Sequence, residues 1–325
     1  MRVLVLGAAG NLGSAVAAGL LARGHRVRLG WHRTPLPERL AGHAAAESCR
    51  VDLRTGHDLP GAMSGMEGVV HCAGQLFRPD PERFLVETNL HWVERASSAA
   101  VAAGASRFVL LSFPHVEEGT TPEQRATGRL DVTPVAVHAR TRLAAERALL
   151  AACEGTSTVP VILRLGVVYG PGLKLVEGAR WLLRRRLLAV WREPTWVHLL
   201  ALRDAVAAVA AALERPGVRG VYNVCDERPL SVQEFLDALA DTFGCPRPRR
   251  LPAWCFHAAA ATVEGWARVF GTAAPLNRDI LRMGMTSAVA DTTRCRAELL
   301  PELACPTLTE GLRELAGTEH HARWR

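Results

Sequence analysis

Short apolar runs alternate with longer stretches of helical spacing through the first two-thirds of the chain. Residues 2–6 read as a buried strand, and residues 12–23 place apolar side chains three and four apart before stopping at Gly24, a C-terminal helix signal. Further strands are predicted at 26–29, 49–51, 68–72, 107–112 and 159–165. Between them, residues 81–103 form a long helix ending at Gly104. Thr133 and Pro134 predict the N-cap and first turn of another, running to about Cys153. Strands this apolar, separated by helices, predict an α/β fold: a doubly wound parallel sheet covered on both faces.

Regularity loosens after Gly166. Gly170-Pro171-Gly172 is a turn, 204–214 is helical, and 218–224 reads as a strand. Ser231 with Glu234 three residues later forms a capping box opening a helix over 231–243, and 254–270 is a Trp- and Ala-rich helix. The expected organisation is a dinucleotide-binding domain at 1–165, to which 200–225 returns. Segments 166–199 and 226–325 then build a smaller, mostly helical substrate lobe.

Composition narrows the function classes. The 325 residues, 49% hydrophobic, suffice for a nucleotide domain carrying a smaller lobe. No run of about 18 apolar residues occurs, so no membrane span is expected. The first apolar run, Val3 to Leu6, is too short for a secretory signal, and a cytoplasmic protein is expected. Eight cysteines lack CxxC or zinc-finger spacing, which points to buried reduced thiols and no structural metal. The net charge of +7 comes without any nucleic-acid-binding motif; an anionic cofactor or substrate accounts for it equally well, and no nucleic acid partner is expected. Arg184-Arg185-Arg186 reads as a solvated basic helix face, with a lid over an anionic substrate or a membrane-surface contact as alternatives.

The chemistry begins at Gly7-Ala8-Ala9-Gly10-Asn11-Leu12-Gly13. Between a strand and a helix, the first glycine permits the tight turn, the second lets backbone approach a pyrophosphate, and the third lets helix pack on sheet. Gly7, Ala9, Gly10, Asn11, Leu12 and Gly13 are therefore candidate cofactor contacts at a helix N-terminus. The second strand ends Gly30-Trp31-His32-Arg33, with no acid before Glu38 to bind a ribose hydroxyl. Cations at His32 and Arg33 suit a 2′-phosphate, so NADP(H) is expected in preference to NAD(H). Arg33 lying across the adenine would fit either cofactor.

Taken in order, Gly7 to Gly13, Asp52-Leu53, Val70-His71-Cys72-Ala73-Gly74, Asn89, Arg164-Leu165-Gly166-Val167-Val168-Tyr169-Gly170-Pro171-Gly172 and Tyr222-Asn223-Val224 resemble the extended short-chain dehydrogenases/reductases. This is the NAD-dependent epimerase/dehydratase superfamily. The C-terminal run from Pro275-Leu276 through Asp291, Leu299 and Pro306 to Glu310-Gly311-Leu312 is most similar to its hydroxysteroid dehydrogenase and dihydroflavonol reductase-like branch. The resemblance implies a Rossmann fold with Asp52 and Leu53 against the adenine. It also implies Ala73, Gly74 and Gln75 along the diphosphate and ribose, Asn89 as a buried helix asparagine, and a homodimer formed through the helices at 81–103 and 134–153.

The family's chemistry rests on a Ser or Thr, a Tyr and a Lys, the last two spaced YxxxK. Here the matching helix, anchored on Glu146, carries His138 at the Tyr position and Arg142 at the Lys position. Neither of the two tyrosines, Tyr169 and Tyr222, starts a YxxxK, and Phe113 stands where the hydroxyl belongs, one residue after Ser112. His138 and Arg142 lie at i and i+4 on one helix face. Arg142 can hold ribose hydroxyls but does not relay protons, while His138 can donate or accept one. The neighbouring Arg charge should lower the His138 pKa. His138, Arg142 and Ser112 are the catalytic candidates; His71, which reads as structural, and His115 rank behind them. Three readings follow: an NADP(H)-dependent oxidoreductase of a hydrophobic ketone or alcohol; a non-redox isomerase, cyclase or lyase; and an inactive NADP(H)-binding regulatory protein.

Overall fold

The computed structural model describes residues 1–74, 81–272, 274 and 276–322, with side chains through 317. The first half comprises β1 (Arg2–Leu6), α1 (Asn11–Ala22), β2 (Arg26–Trp31), α2 (Glu38–Ala41), β3 (Ala46–Arg50), α3 (Leu59–Met63) and β4 (Gly68–His71). It continues with α4 (Pro81–Leu85), a π-helical turn at Val86–His91, α5 (Trp92–Ala102), β5 (Arg107–Ser112), α6 (Val137–Cys153) and β6 (Val159–Leu165). Next come β7 (Val167–Tyr169), α7 (Lys174–Arg184), β8 (Ala189–Trp191), β9 (Trp196–Val197), β10 (Leu199–Ala201), α8 (Leu202–Glu214) and β11 (Gly220–Val224). The chain closes with β12 (Leu230–Ser231), α9 (Val232–Thr242), β13 (Arg249–Leu251), α10 (Ala253–Phe270), α11 (Arg278–Met285) and α12 (Leu308–Ala322).

Seven parallel strands form one sheet in the order β11-β6-β5-β4-β1-β2-β3. The order reverses between β1 and β4, the point in such sheets where strand ends diverge and leave a crevice. One face buries Val16, Leu20, Ala205 and Val209 from α1 and α8; the other buries Met63, Val93, Ala96, Ala145 and Leu149 from α3, α5 and α6. A separate apolar cluster around Tyr169, Val176, Leu183, Phe235 and Leu239 holds α7 and α9 together.

Two sequence expectations change. The helix expected at 81–103 is interrupted by the π-helical turn, which buries Thr88 and Asn89. The helix expected from Thr133-Pro134 begins instead at Val137, with Ala136 as its cap and no side-chain cap of its own. Carboxylates from elsewhere do that work. Glu118 accepts from the backbone N–H of Val135 and Ala136 at 2.6 and 2.8 Å, and Asp279 of α11 accepts from Val137 and His138 at 2.8 and 3.1 Å. The Ser231–Glu234 capping box is present as expected.

Candidate active site

A cleft of about 710 Å³ opens at the C-terminal ends of β1, β2 and β4. Its floor is the β1–α1 turn, where the sterics leave no choice of residue. Gly7 has φ of +86°, and a Cβ on it would sit 2.8 Å from the Ala73 backbone nitrogen; a Cβ on Gly13 would sit 2.2 Å from the Gly7 carbonyl oxygen. Gly10 is the N-cap of α1 and offers no side-chain cap, so the first turn presents backbone N–H groups to the cleft end. These features fit a dinucleotide diphosphate.

The expected contacts divide. Gly7, Ala9, Gly10, His32, Arg33, Asp52, Leu53, Ala73 and Gly74 line the cleft. The Leu12 side chain packs against the core, and the Asn11 side-chain amide is placed to donate to the Gly172 carbonyl at 3.3 Å and accept from Lys174 N–H at 3.1 Å, which leaves the backbone N–H of each for the cleft. Gln75 lies outside the described residues. The cleft wall also includes Trp31, Thr34, Arg54, Phe84, Thr88 and Trp92, which motif reading missed. Arg54 follows Asp52-Leu53 directly and was the one with a local signal. At the β2 end, His32 Nε2 stands 3.6 Å from an Asp52 carboxylate oxygen, while Arg33 is exposed.

Behind the cleft, α6 and the π-helical turn build a buried polar relay. Arg142 donates to Asn89 Oδ1 at 3.2 Å, which turns the Asn89 amide nitrogen toward α6. That nitrogen donates to Thr141 Oγ1 at 2.9 Å and to His138 Nδ1 at 3.2 Å. With Nδ1 accepting, the His138 proton belongs on Nε2. The imidazole stacks on Phe113 with ring centroids 4.9 Å apart and planes within 3°. Phe113 thus stands as a platform where the family pattern puts a hydroxyl.

Burial, then the Arg142 charge, then His115 hold the His138 pKa at about 3. Sequence reasoning had the Arg142 direction right, but burial is the larger cause, and His138 is neutral at physiological pH rather than titrating near 6.5. Burial lowers Arg142 to about 10, opposed by the Glu146 carboxylate, so it stays cationic. Its Nε has no partner among the described residues, and one of its terminal nitrogens lies 3.4 Å from where a Gly74 Cβ would be, at the cleft wall. Burial also pushes His71 down to about 3, with Arg142 adding to it, and neither ring nitrogen of His71 has a partner among the described residues.

Ser112 does not join this relay. Its hydroxyl donates to Glu146, and Glu146 is paired with the fully buried Arg164. Arg164 reaches Glu117 as well, forming a carboxylate–guanidinium–carboxylate triad that ties α6 to β6. Both tyrosines are also committed elsewhere. Tyr169 is buried in the α7–α9 cluster, and the Tyr222 hydroxyl donates to Glu298 at 2.7 Å. Lys174, the only lysine in the chain, starts α7.

A sequence model described as the NAD dependent epimerase/dehydratase family matches residues 3–225. The chain belongs to that family. A Streptomyces 3-diazoavenalumate denitrifying reductase is 32% identical over 82% of this chain and 88% of its own length. A 2-alkyl-3-oxoalkanoate reductase of Stenotrophomonas maltophilia is 28% identical over 76% and 77%. Among solved structures, a Thermus thermophilus UDP-glucose 4-epimerase in complex with NAD superposes with a TM-score of 0.77 at 24% identity, covering 99% of this chain and all of that one. The fold is thereby the Rossmann type, and the protein is a nicotinamide-dependent oxidoreductase of the epimerase/dehydratase family. No helix among the described residues is long and apolar enough to cross a membrane.

Proposed function

We propose that this protein is an NADP(H)-dependent reductase of a hydrophobic ketone, with His138 in the place of the family's tyrosine and Arg142 in the place of its lysine. The observation that carries the reading is the Arg142–Asn89–His138 relay, which fixes an imidazole with its proton on Nε2. A reduced nicotinamide supplies a hydride when bound. Backbone N–H groups at Asn11, Leu12 and Gly13 would hold its diphosphate over the turn made by Gly7, Ala9 and Gly10, whose own N–H closes that turn onto the Gly7 carbonyl at 2.8 Å. Asp52 and Leu53 would flank the adenine, with Ala73 and Gly74 along the ribose side. His32 and Arg33 would meet a 2′-phosphate, and Arg142 the nicotinamide ribose hydroxyls.

His138 would then act as a neutral hydrogen-bond donor. Nε2–H stabilises charge developing on the carbonyl oxygen, as a preorganised dipole in a site shielded from water. Arg142 backs it with a fixed positive charge. Neutral imidazole is a poor proton reservoir, so the alkoxide left after hydride addition to a ketone would take its proton from water, and acceptors that need polarisation more than rapid protonation are favoured.

That same limit favours a second reading of the substrate. The name of the Streptomyces relative describes reduction of a diazo compound with loss of nitrogen. In such a step, with the diazo group in its cationic diazonium form, a hydride forms a C–H bond at the carbon that carried the group, the C–N bond breaks, and its electron pair leaves with dinitrogen. No enzyme proton is consumed, so a site without an ionisable tyrosine suffices.

Calorimetric titration with NADPH and NADH, on the wild type and on Arg33→Ala, tests the cofactor choice. NADPH should bind about tenfold or more tightly than NADH, and the variant should lose that margin. Equal wild-type affinities overturn it. Loss of reduced-nicotinamide absorbance with aryl ketones, against loss with an aryl diazonium salt, separates the two substrate readings; loss with neither contradicts both.

A further inference from the structure

We propose that the second lobe carries a separate anion site, formed by Arg186, Arg247 and Arg249, for the phosphoryl group of a small organic molecule with an apolar body. These three arginines, exposed at the surface, line with Leu183, Leu188 and Pro246 a cavity of about 280 Å³ where the end of α7 meets the loop before β13. None of these six residues lines the dinucleotide cleft. No carboxylate lines the cavity among the described residues. Arg247 is neutralised by a two-pronged pair with Asp241, at 3.1 and 2.7 Å. Arg186 and Arg249 have no side-chain partner among the described residues. Like charges around one concavity repel, and a bound anion would relieve that repulsion.

Backbone conformation supplies the second, independent observation. α7 ends in a Schellman motif: Leu187 N–H bonds to the Leu182 carbonyl and Arg186 N–H to the Leu183 carbonyl, each at 2.9 Å. Arg186 occupies the left-handed position of that motif, with φ of +57°, and is the only non-glycine residue of positive φ among the described residues. Glycine is favoured there because a Cβ crowds the following carbonyl. Cations suit a helix C-terminus, but Arg184 in the last turn already serves that role. Arg185 is committed as well, its guanidinium lying 4.2 Å from the centre of the Trp181 ring. A strained arginine with no partner, placed on a cavity wall beside two others, marks a side chain held for what it binds. Guanidinium forks match phosphoryl oxygens two by two, and the leucines and proline accept an apolar substituent.

Isothermal titration of NADP⁺-saturated protein with phenyl phosphate and with inorganic phosphate tests this. Phenyl phosphate should bind, more tightly than inorganic phosphate. Arg186→Gly should weaken it at least about tenfold while raising the melting temperature, since glycine relieves the backbone. Arg249→Ala should weaken binding comparably without that rise. The opposite movement of binding and stability in Arg186→Gly is the signature a merely structural arginine would not give. Unchanged binding in both variants overturns the proposal, as does a lower melting temperature in Arg186→Gly. Sedimentation with phosphatidylserine vesicles forms the second arm. Capture by vesicles without any phenyl phosphate binding replaces a small-molecule site with a lipid-surface contact and equally overturns it.

Discussion

The Asp279 carboxylate accepts the backbone N–H of His138 at 3.1 Å, so a residue of α11 caps the helix that presents the candidate catalytic imidazole. Because Asp279 also takes the Val137 N–H, one side chain satisfies two of the orphan donors at the start of α6. The position of the C-terminal helices and the position of His138 are therefore mechanically linked. Asp279→Ala is expected to cost about 1 kcal/mol of stability, the usual worth of a cap. It should also lower kcat with little change in NADPH affinity. Urea denaturation, steady-state kinetics and calorimetry on the one variant check all three.

Ser112 is bonded to Glu146, the partner of Arg164, and not to the His138 relay, which predicts a scaffold role for both. Ser112→Ala removes one hydrogen bond from buried Glu146 and should cost about 1–3 kcal/mol, with turnover of the folded protein within about tenfold of wild type. Arg164→Met strands Glu146 and Glu117 in the interior and should cost about 3–5 kcal/mol. Denaturation midpoints of the two variants, compared with their specific activities, separate scaffold from chemistry. A thousandfold loss of turnover in well-folded Ser112→Ala would return the serine to the catalytic set.

Acid sensitivity follows from the buried histidines. His71 and His138 titrate near 3 when folded but near their ordinary value of 6.5 when unfolded. Between those limits the unfolded chain binds protons that the folded chain does not. Stability therefore rises with pH in that window and is lost as pH falls below about 6.5, by up to ~1.4 kcal/mol per pH unit for each histidine. His71→Phe, stacked beside Phe108, should flatten the pH dependence by one histidine's share below that point and leave it unchanged above. Urea titrations at several pH values measure it.

The parts legible in the sequence are those whose determinants are local. The β1–α1 turn is written in glycines three residues apart, and the shared face of His138 and Arg142 follows from helical periodicity alone. The start of α6 was misread because its caps come from Glu118, 17 residues before Val135, and from Asp279, 142 residues after Val137. The hydrogen bond of Ser112 was hidden for the same reason, since its partner Glu146 is 34 positions away. The protonation of His138 was beyond sequence reading because burial, the largest cause, depends on what covers the ring. The Arg184–Arg186 segment was expected as one helix face. The helix stops at Arg184, and the left-handed turn at Arg186 redirects the chain.

The most direct test of a neutral His138 is the pH profile of NADPH oxidation under single turnover, from about pH 5.5 to about 8.5, with the acceptor that the wild type reduces. A rate that stays flat across the range, and drops at least about hundredfold in His138→Phe with NADPH affinity unchanged, is the expected result. A limb with an apparent pKa between about 6 and 8 that disappears in His138→Phe would contradict it, because the imidazole would then be exchanging its proton at physiological pH.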